Sequence, residues 1–215
     1  MASIVEKTVS LTKESRDLLP QTGNSLKTTS VDYRYRYIDP DLLIREYFLS
    51  SSTQRAKLRK LVFQNINSWQ SILAILMWSR RKEIFDAYDG ASDLLAECTD
   101  INLFKGAIQY LESANLLATS SASNLFNLDD FWEVLLKGIA YAYQIPAKER
   151  FEITLNLFPV SNRRIVKAAI IDTLVILGDE MDIEPIRNSI SRFSSTHEPD
   201  SYIRNYAQEA LDEIS

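Results

Sequence analysis

A single histidine, His197, and a single cysteine, Cys98, are the side chains of this 215-residue chain best suited to nucleophilic or metal chemistry. One of each cannot make a multi-histidine metal site or a dithiol pair within one chain. His197 lies in SSTHEPD, a turn-like stretch with no evident neighbour to orient an imidazole as a general base. Cys98 follows LLAE, where a small buried filler is expected rather than an activated thiolate. The glycines, at 23, 90, 106, 138 and 178, are too scattered to build a phosphate-cradling loop. Carboxylates gather at Asp129–Asp130, Asp179–Glu180 and Glu209–Asp212–Glu213, each at an expected helix start or on a polar face. Capping, helix-dipole and solvation roles account for those positions without acid–base chemistry. The expectation is a chain with no catalytic residue, no cofactor and no metal.

Binding chemistry is better represented. Arg55, Lys57, Arg59 and Lys60, with Arg80, Arg81 and Lys82, could form a positive hairpin able to neutralise phosphates. Acidic neighbours at Asp41, Glu46, Glu83 and Asp86 favour a solvated mixed face instead. The stretch VDYRYRYI interleaves Tyr33, Tyr35 and Tyr37 with Arg34 and Arg36, residue types suited to binding anchors and to stacking on bases. Those five residues are either a contact arm or a strap laid on the chain's own first helices.

Composition bounds the fold. Hydrophobic residues make up 46% and charged residues 25%, which fits a globular chain large enough for a substantial core. Only 5 Gly and 6 Pro suit long helices with short connections rather than a turn-rich β sandwich. The net charge of -5 gives no overall pull toward nucleic acid. The first residues, MASIVEKTVSLTKESRD, lack the apolar core of a secretory signal, and the apolar run SWQSILAILMW is about half of a membrane span. A cytoplasmic protein with no membrane partner is expected.

The positioning elements read as helices throughout. Residues 1–37, rich in Ser, Thr and Lys, are expected to be a flexible arm; residues 38–124 a helical subdomain; residues 125–215 a repeat region. Asp39 can cap and Pro40 can open a helix over IDPDLLIREYFL. Leu58, Val62, Ile66, Trp69, Leu73 and Leu76, spaced by three and four, predict one apolar stripe down a helix. Further helices are expected over Lys82–Tyr88, Ala91–Cys98, Asn102–Leu117, Leu128–Tyr143 and Ala147–Leu157, with SSASN at 120–124 as a loop.

The C-terminal region repeats itself. Val166, Ala169, Ile170, Thr173, Leu174 and Leu177 recur 37 residues later as Ile203, Tyr206, Ala207, Ala210, Leu211 and Ile214, each copy with a base next, Lys167 and Arg204. Leu128, Phe131, Trp132, Leu135, Leu136 and Ile139 keep the spacing 38 residues upstream. Between the two clear copies, Ile183, Ile186, Ile190 and Phe193 predict a partner helix capped by Asp182.

The pattern VKAAIIDTLVILGD, then IEPI, then YIRNYAQEAL resembles HEAT-like repeats of the short bacterial type, as found in phycobiliprotein lyases and small adaptors. The resemblance covers residues 161–215 and extends less closely over 125–160. It implies an all-α, right-handed solenoid-like stack of antiparallel helix pairs, with a less regular N-terminal helical part. It also implies that Lys167 and Arg204 brace neighbouring units. The expected function is a non-catalytic interaction module that binds a protein partner on its helical surface. Beside Tyr33 to Tyr37, the candidate contact residues are Arg163, Arg164, Lys167 and Asn205. Two other classes stay open: a nucleic-acid binder using the basic hairpin and the arm, and a lyase-type helical-repeat enzyme subunit handling a chromophore.

Overall fold

Local capping begins the fold. In the computed structural model, which describes residues 39–82, 84, 86–120, 129–157 and 163–214, Asp39 Oδ1 accepts from the Asp41 amide at 3.0 Å and Pro40 opens the first helix. Proline costs nothing there, because the first-turn amides have no intrahelical partner. The helix, α1 (Pro40–Leu49), buries Leu43, Ile44, Tyr47 and Phe48. The tyrosine–arginine stretch and the expected arm lie outside the described residues, as does most of the SSASN loop, residues 121–124.

The stripe from Leu58 to Leu76 does not run down one helix. It divides into α2 (Ser52–Asn65) and α3 (Trp69–Ser79), with Ile66 and Ser68 in extended conformations between them. Asn65 Nδ2 donates to Leu61 O at 2.7 Å, drawing the side chain onto the backbone where the helix ends. Asn and Ser favour such local bonds over a continued ladder. The break resets the helical phase. In α3 the buried apolar residues are Ile72, Ile75 and Leu76, while Trp69 and Leu73 are only partly covered.

The helices expected at Lys82–Tyr88 and Ala91–Cys98 are likewise replaced, by one helix, α4 (Ala87–Leu95). Asp86 stands in the left-handed region with φ 59 and turns the chain before it. Aspartate tolerates that conformation better than most residues, and here its carboxylate also meets Arg55 Nη1 at 2.8 Å. Gly90 and Ala91, in the middle of α4, let it approach α1, where the Tyr47 hydroxyl donates to Gly90 O at 2.9 Å.

The later helices follow the expected periodicity: α5 (Ile101–Ser120), α6 (Asp129–Tyr141), α7 (Ala147–Asn156), α8 (Arg164–Leu177), α9 (Ile183–Ser194) and α10 (Ser201–Glu213). Asp182 caps α9 and Asp200 caps α10, each accepting an amide two residues on. The chain is thus all-α, with ten helices and no strand among the described residues. The described residues all belong to one compact unit. Within it α4 packs on α6, α6 on α8, and α8 on α10; α7 packs on α8, and α9 on α10.

Close approach carries two of these crossings. A Cβ on Gly138 of α6 would lie 2.4 Å from Leu95 Cβ of α4, and one on Gly106 of α5 would lie 2.7 Å from Trp69 Cβ of α3. Both contacts are to atoms beside the backbone, so a rotamer change cannot relieve them. Gly138→Ala is expected to lower stability by about 1–2 kcal/mol, although helix propensity alone would favour alanine by about 1 kcal/mol. Urea unfolding measures the balance; a stabilised variant would contradict the spacing of α4 and α6.

Candidate functional site

The residues singled out for binding are largely engaged within the chain. Arg163 Nη1 meets Asp129 Oδ1 at 2.7 Å, joining the start of α8 to the start of α6. Arg164 holds Asp200 through Nε at 2.8 Å and Nη2 at 3.3 Å, while its guanidinium lies 5.2 Å from the Tyr202 ring centre. Lys167 Nζ reaches both carboxylate oxygens of Glu198, at 2.8 and 2.7 Å, with the two side chains only 12% and 9% exposed. Arg204 Nη1 donates to the Glu198 carbonyl at 2.6 Å. Both repeat bases therefore converge on Glu198 and fix the turn before α10. Asn205 is exposed on α10.

The basic hairpin is similarly occupied. Arg55 pairs with Asp86 at 2.8 Å and Arg59 with Asp93 at 2.9 Å, and Arg80 lies 3.8 Å from Asp130. Arg81 covers the Trp78 ring at 5.1 Å. Lys57, Lys60 and Lys82 are exposed. Cys98 is fully buried, its sulfur 3.4 Å from Asp100 O, and burial pushes its thiol up to about 12, out of reach of thiolate chemistry. His197 is exposed in the turn before α10. Among the described residues no three His, Cys, Asp or Glu side chains gather so as to hold a metal ion. Nor is any described helix long and apolar enough to cross a membrane.

A concave surface lies elsewhere, along the row α4, α6, α8 and α10. A cavity of about 270 Å³ is lined by Tyr88, Glu133, Lys137, Tyr141, Ala169, Asp172, Thr173 and Ile176. A second, of about 340 Å³, is lined by Asp172, Val175, Ile176, Tyr206, Glu209, Ala210 and Glu213. Asp172 and Ile176 border both, so the two adjoin at α8 on one grooved face that draws on four helices. The amphipathic pattern of each helix produces it. Apolar stripes face the core, and the residues on the opposite flank stand over the seams between helices.

Carboxylate–phenol pairs organise the lining. The Tyr206 hydroxyl donates to Asp172 Oδ1 at 2.5 Å, and Tyr88 and Glu133 line the same cavity. The bond to Asp172, with partial burial, raises the Tyr206 phenol; burial first and Glu133 second raise that of Tyr88. Burial raises the Asp172 carboxyl above the ordinary carboxylate range, and the charges of Glu133 and Glu213 push it further, against a lowering by the Tyr206 bond. Lys137, the cation of the lining, is already shared between Asp89 Oδ1 at 3.0 Å and the Tyr88 ring at 5.4 Å.

A carboxyl whose folded pKa is raised binds its proton more tightly in the folded state. Stability from that group therefore falls as pH rises through the raised value. Asp172→Asn keeps an acceptor for Tyr206 and removes the charge. At pH 7 it is expected to raise the thermal midpoint, and the gain should shrink toward zero as pH falls to the ordinary range near 4. A midpoint difference that grows on acidification would refute the electrostatic account of the groove.

None of the groove acids was foreseen as a site, and Tyr206 was expected in an apolar stripe. One signal was present: Asp172 and Glu209 occupy the same place in the 37-residue recurrence. A scan against protein-family models found no match to this chain, and searches of curated proteins and of solved structures found none either.

Proposed function

We propose that the protein is a non-catalytic interaction module, a HEAT-like stack of helix pairs that holds a macromolecular partner, most simply a protein, on its grooved face. The observation that carries the reading is the pair of adjoining open concavities on the face of α4, α6, α8 and α10. The contacts of α6 with α8 and of α8 with α10, with α7 and α9 each laid against the following helix, support the solenoid reading. Stacked pairs of this kind leave a continuous surface that individual helices cannot offer. The bracing of Lys167 and Arg204 on Glu198 agrees with the role their resemblance implies.

A binding role fits the chemistry of the lining. Carboxylates and phenols line it, and the cation among them is tied to Asp89. The groove is open and lacks the water-excluding enclosure that acid–base catalysis exploits. Capture of a protein by the immobilised full-length chain, with cross-links falling on the described helices, tests the reading. Capture abolished by nuclease would replace it with nucleic-acid binding. Turnover that persists through purification and is lost with one substituted carboxylate would replace it with catalysis.

A further inference from the structure

We infer that the groove across α4, α6, α8 and α10 accepts an extended, Lys- and Arg-rich peptide segment of a protein partner. The inference rests on the interaction-module reading and assigns the chemistry of what is bound.

Charge matching is the first argument. Several carboxylates elsewhere in the described chain are met by the protein's own cations: Asp86 by Arg55, Asp93 by Arg59, Asp129 by Arg163, Asp200 by Arg164 and Glu198 by Lys167. Glu133, Asp172, Glu209 and Glu213 line the groove, and among the described residues no cation forms an ion pair with them. Keeping those charges together is unfavourable for the folded chain, as the raised carboxyl of Asp172 records. An acidic face that costs stability and is matched by no cation of its own suits a basic partner.

The tyrosines supply the second argument. Aromatic faces hold the aliphatic stems and charged heads of Lys and Arg. The chain displays this geometry internally: Arg164 sits between the Asp200 carboxylate and the Tyr202 ring, and Lys137 between Asp89 and the Tyr88 ring. Tyr141 and Tyr206, beside Glu133, Asp172 and Glu209, offer the same pairing of ring and carboxylate to an incoming side chain. Tyr202 continues the surface, stacked on Tyr206 at 5.9 Å.

Shape separates a peptide from other cations and from nucleic acid. The acids are spread over successive helices and do not gather around one point, so an elongated polycation fits better than a single metal ion. Four helices in a row, about 9 Å apart, span roughly 27 Å, the length of about eight extended residues. Phosphate backbones would be repelled by the same carboxylates.

Fluorescence anisotropy with a fluorescein-labelled peptide of about ten residues, alternating Arg, Lys and Ala, tests the assignment. Saturable binding that weakens with salt is expected, along with at least about a tenfold loss in the E133Q/E209Q/E213Q variant and none in E46Q on α1. The triple variant keeps side-chain volume and removes repulsion, so its melting midpoint should not fall. In the unmodified protein, the peptide should also shift the ring resonances of Tyr88 and Tyr206, a readout that needs no variant. Equal binding by the triple variant, an equal loss in E46Q, or equal binding of an acidic peptide or a single-stranded oligonucleotide would overturn the inference. A captured partner cross-linked only outside the groove would also overturn it, while leaving the interaction-module reading intact.

Discussion

Replacing Arg150 by methionine is expected to destabilise the protein by about 3–5 kcal/mol, the range for removing one member of a buried, hydrogen-bonded charge pair. Arg150 is fully buried in α7. Its Nε donates to Ile145 O at 2.9 Å, its Nη1 to Ala140 O and its Nη2 to Glu180. The Tyr143 ring lies over the guanidinium at 5.6 Å. One planar fork thus ties the end of α6 and its connection to α7 onto the turn that follows α8.

Methionine would fill much of the volume but leave two buried carbonyls without donors, each costing about 1–3 kcal/mol. Glu180 keeps some contact with water, so its orphaned charge adds less than a buried one would. Lysine should recover only part of the loss, because a point charge on a flexible stem cannot serve three separated acceptors. Adding Glu180→Gln to Arg150→Met isolates the ion-pair component in a double-mutant cycle. Urea unfolding at high salt completes the test. A loss below about 1 kcal/mol would show that the carbonyls find other donors and that the fork is dispensable.

Arg150 also marks where sequence reading runs out. In AKERFEI it is one charged residue among several, with nothing local to distinguish a buried fork from a solvated side chain. The caps at Asp39 and Asp182 were legible because their bonds close within two residues. The all-α class was legible because amphipathic spacing is local as well. The interruption at Ile66–Ser68 was not, since apolar spacing of three and four runs straight through it. Asp86 was missed for a related reason: left-handed backbone at an aspartate leaves no periodic trace. The groove lay furthest from view. Its acids come from separate helices, and only packing brings Glu133, Asp172 and Glu213 within one another's field.

The repeat itself makes the sharpest quantitative claim. Leu174 and Leu211 occupy the same place in the two copies, and periodicity alone assigns both to the core. Packing separates them. Leu174 is fully buried in α8, which has α6 on one side and α10 on the other. Leu211 is half-buried on α10, which packs on α8 and α9. Only part of the α10 stripe is covered: Ile203, Ala207 and Ala210 are buried while Tyr206, Leu211 and Ile214 are left partly open.

Truncating Leu174 to alanine removes three carbons from a site walled on both sides and leaves a cavity, an expected cost of about 2–5 kcal/mol. The same change at Leu211 opens toward solvent, which fills the space, and should cost about 1 kcal/mol or less. Denaturant midpoints with unchanged slopes would report the two values directly. Equal losses would mean that a further element covers α10 and that the stack continues past it. A small loss at Leu174 would remove the two-sided packing of α8, and with it the groove that depends on α6, α8 and α10 lying side by side.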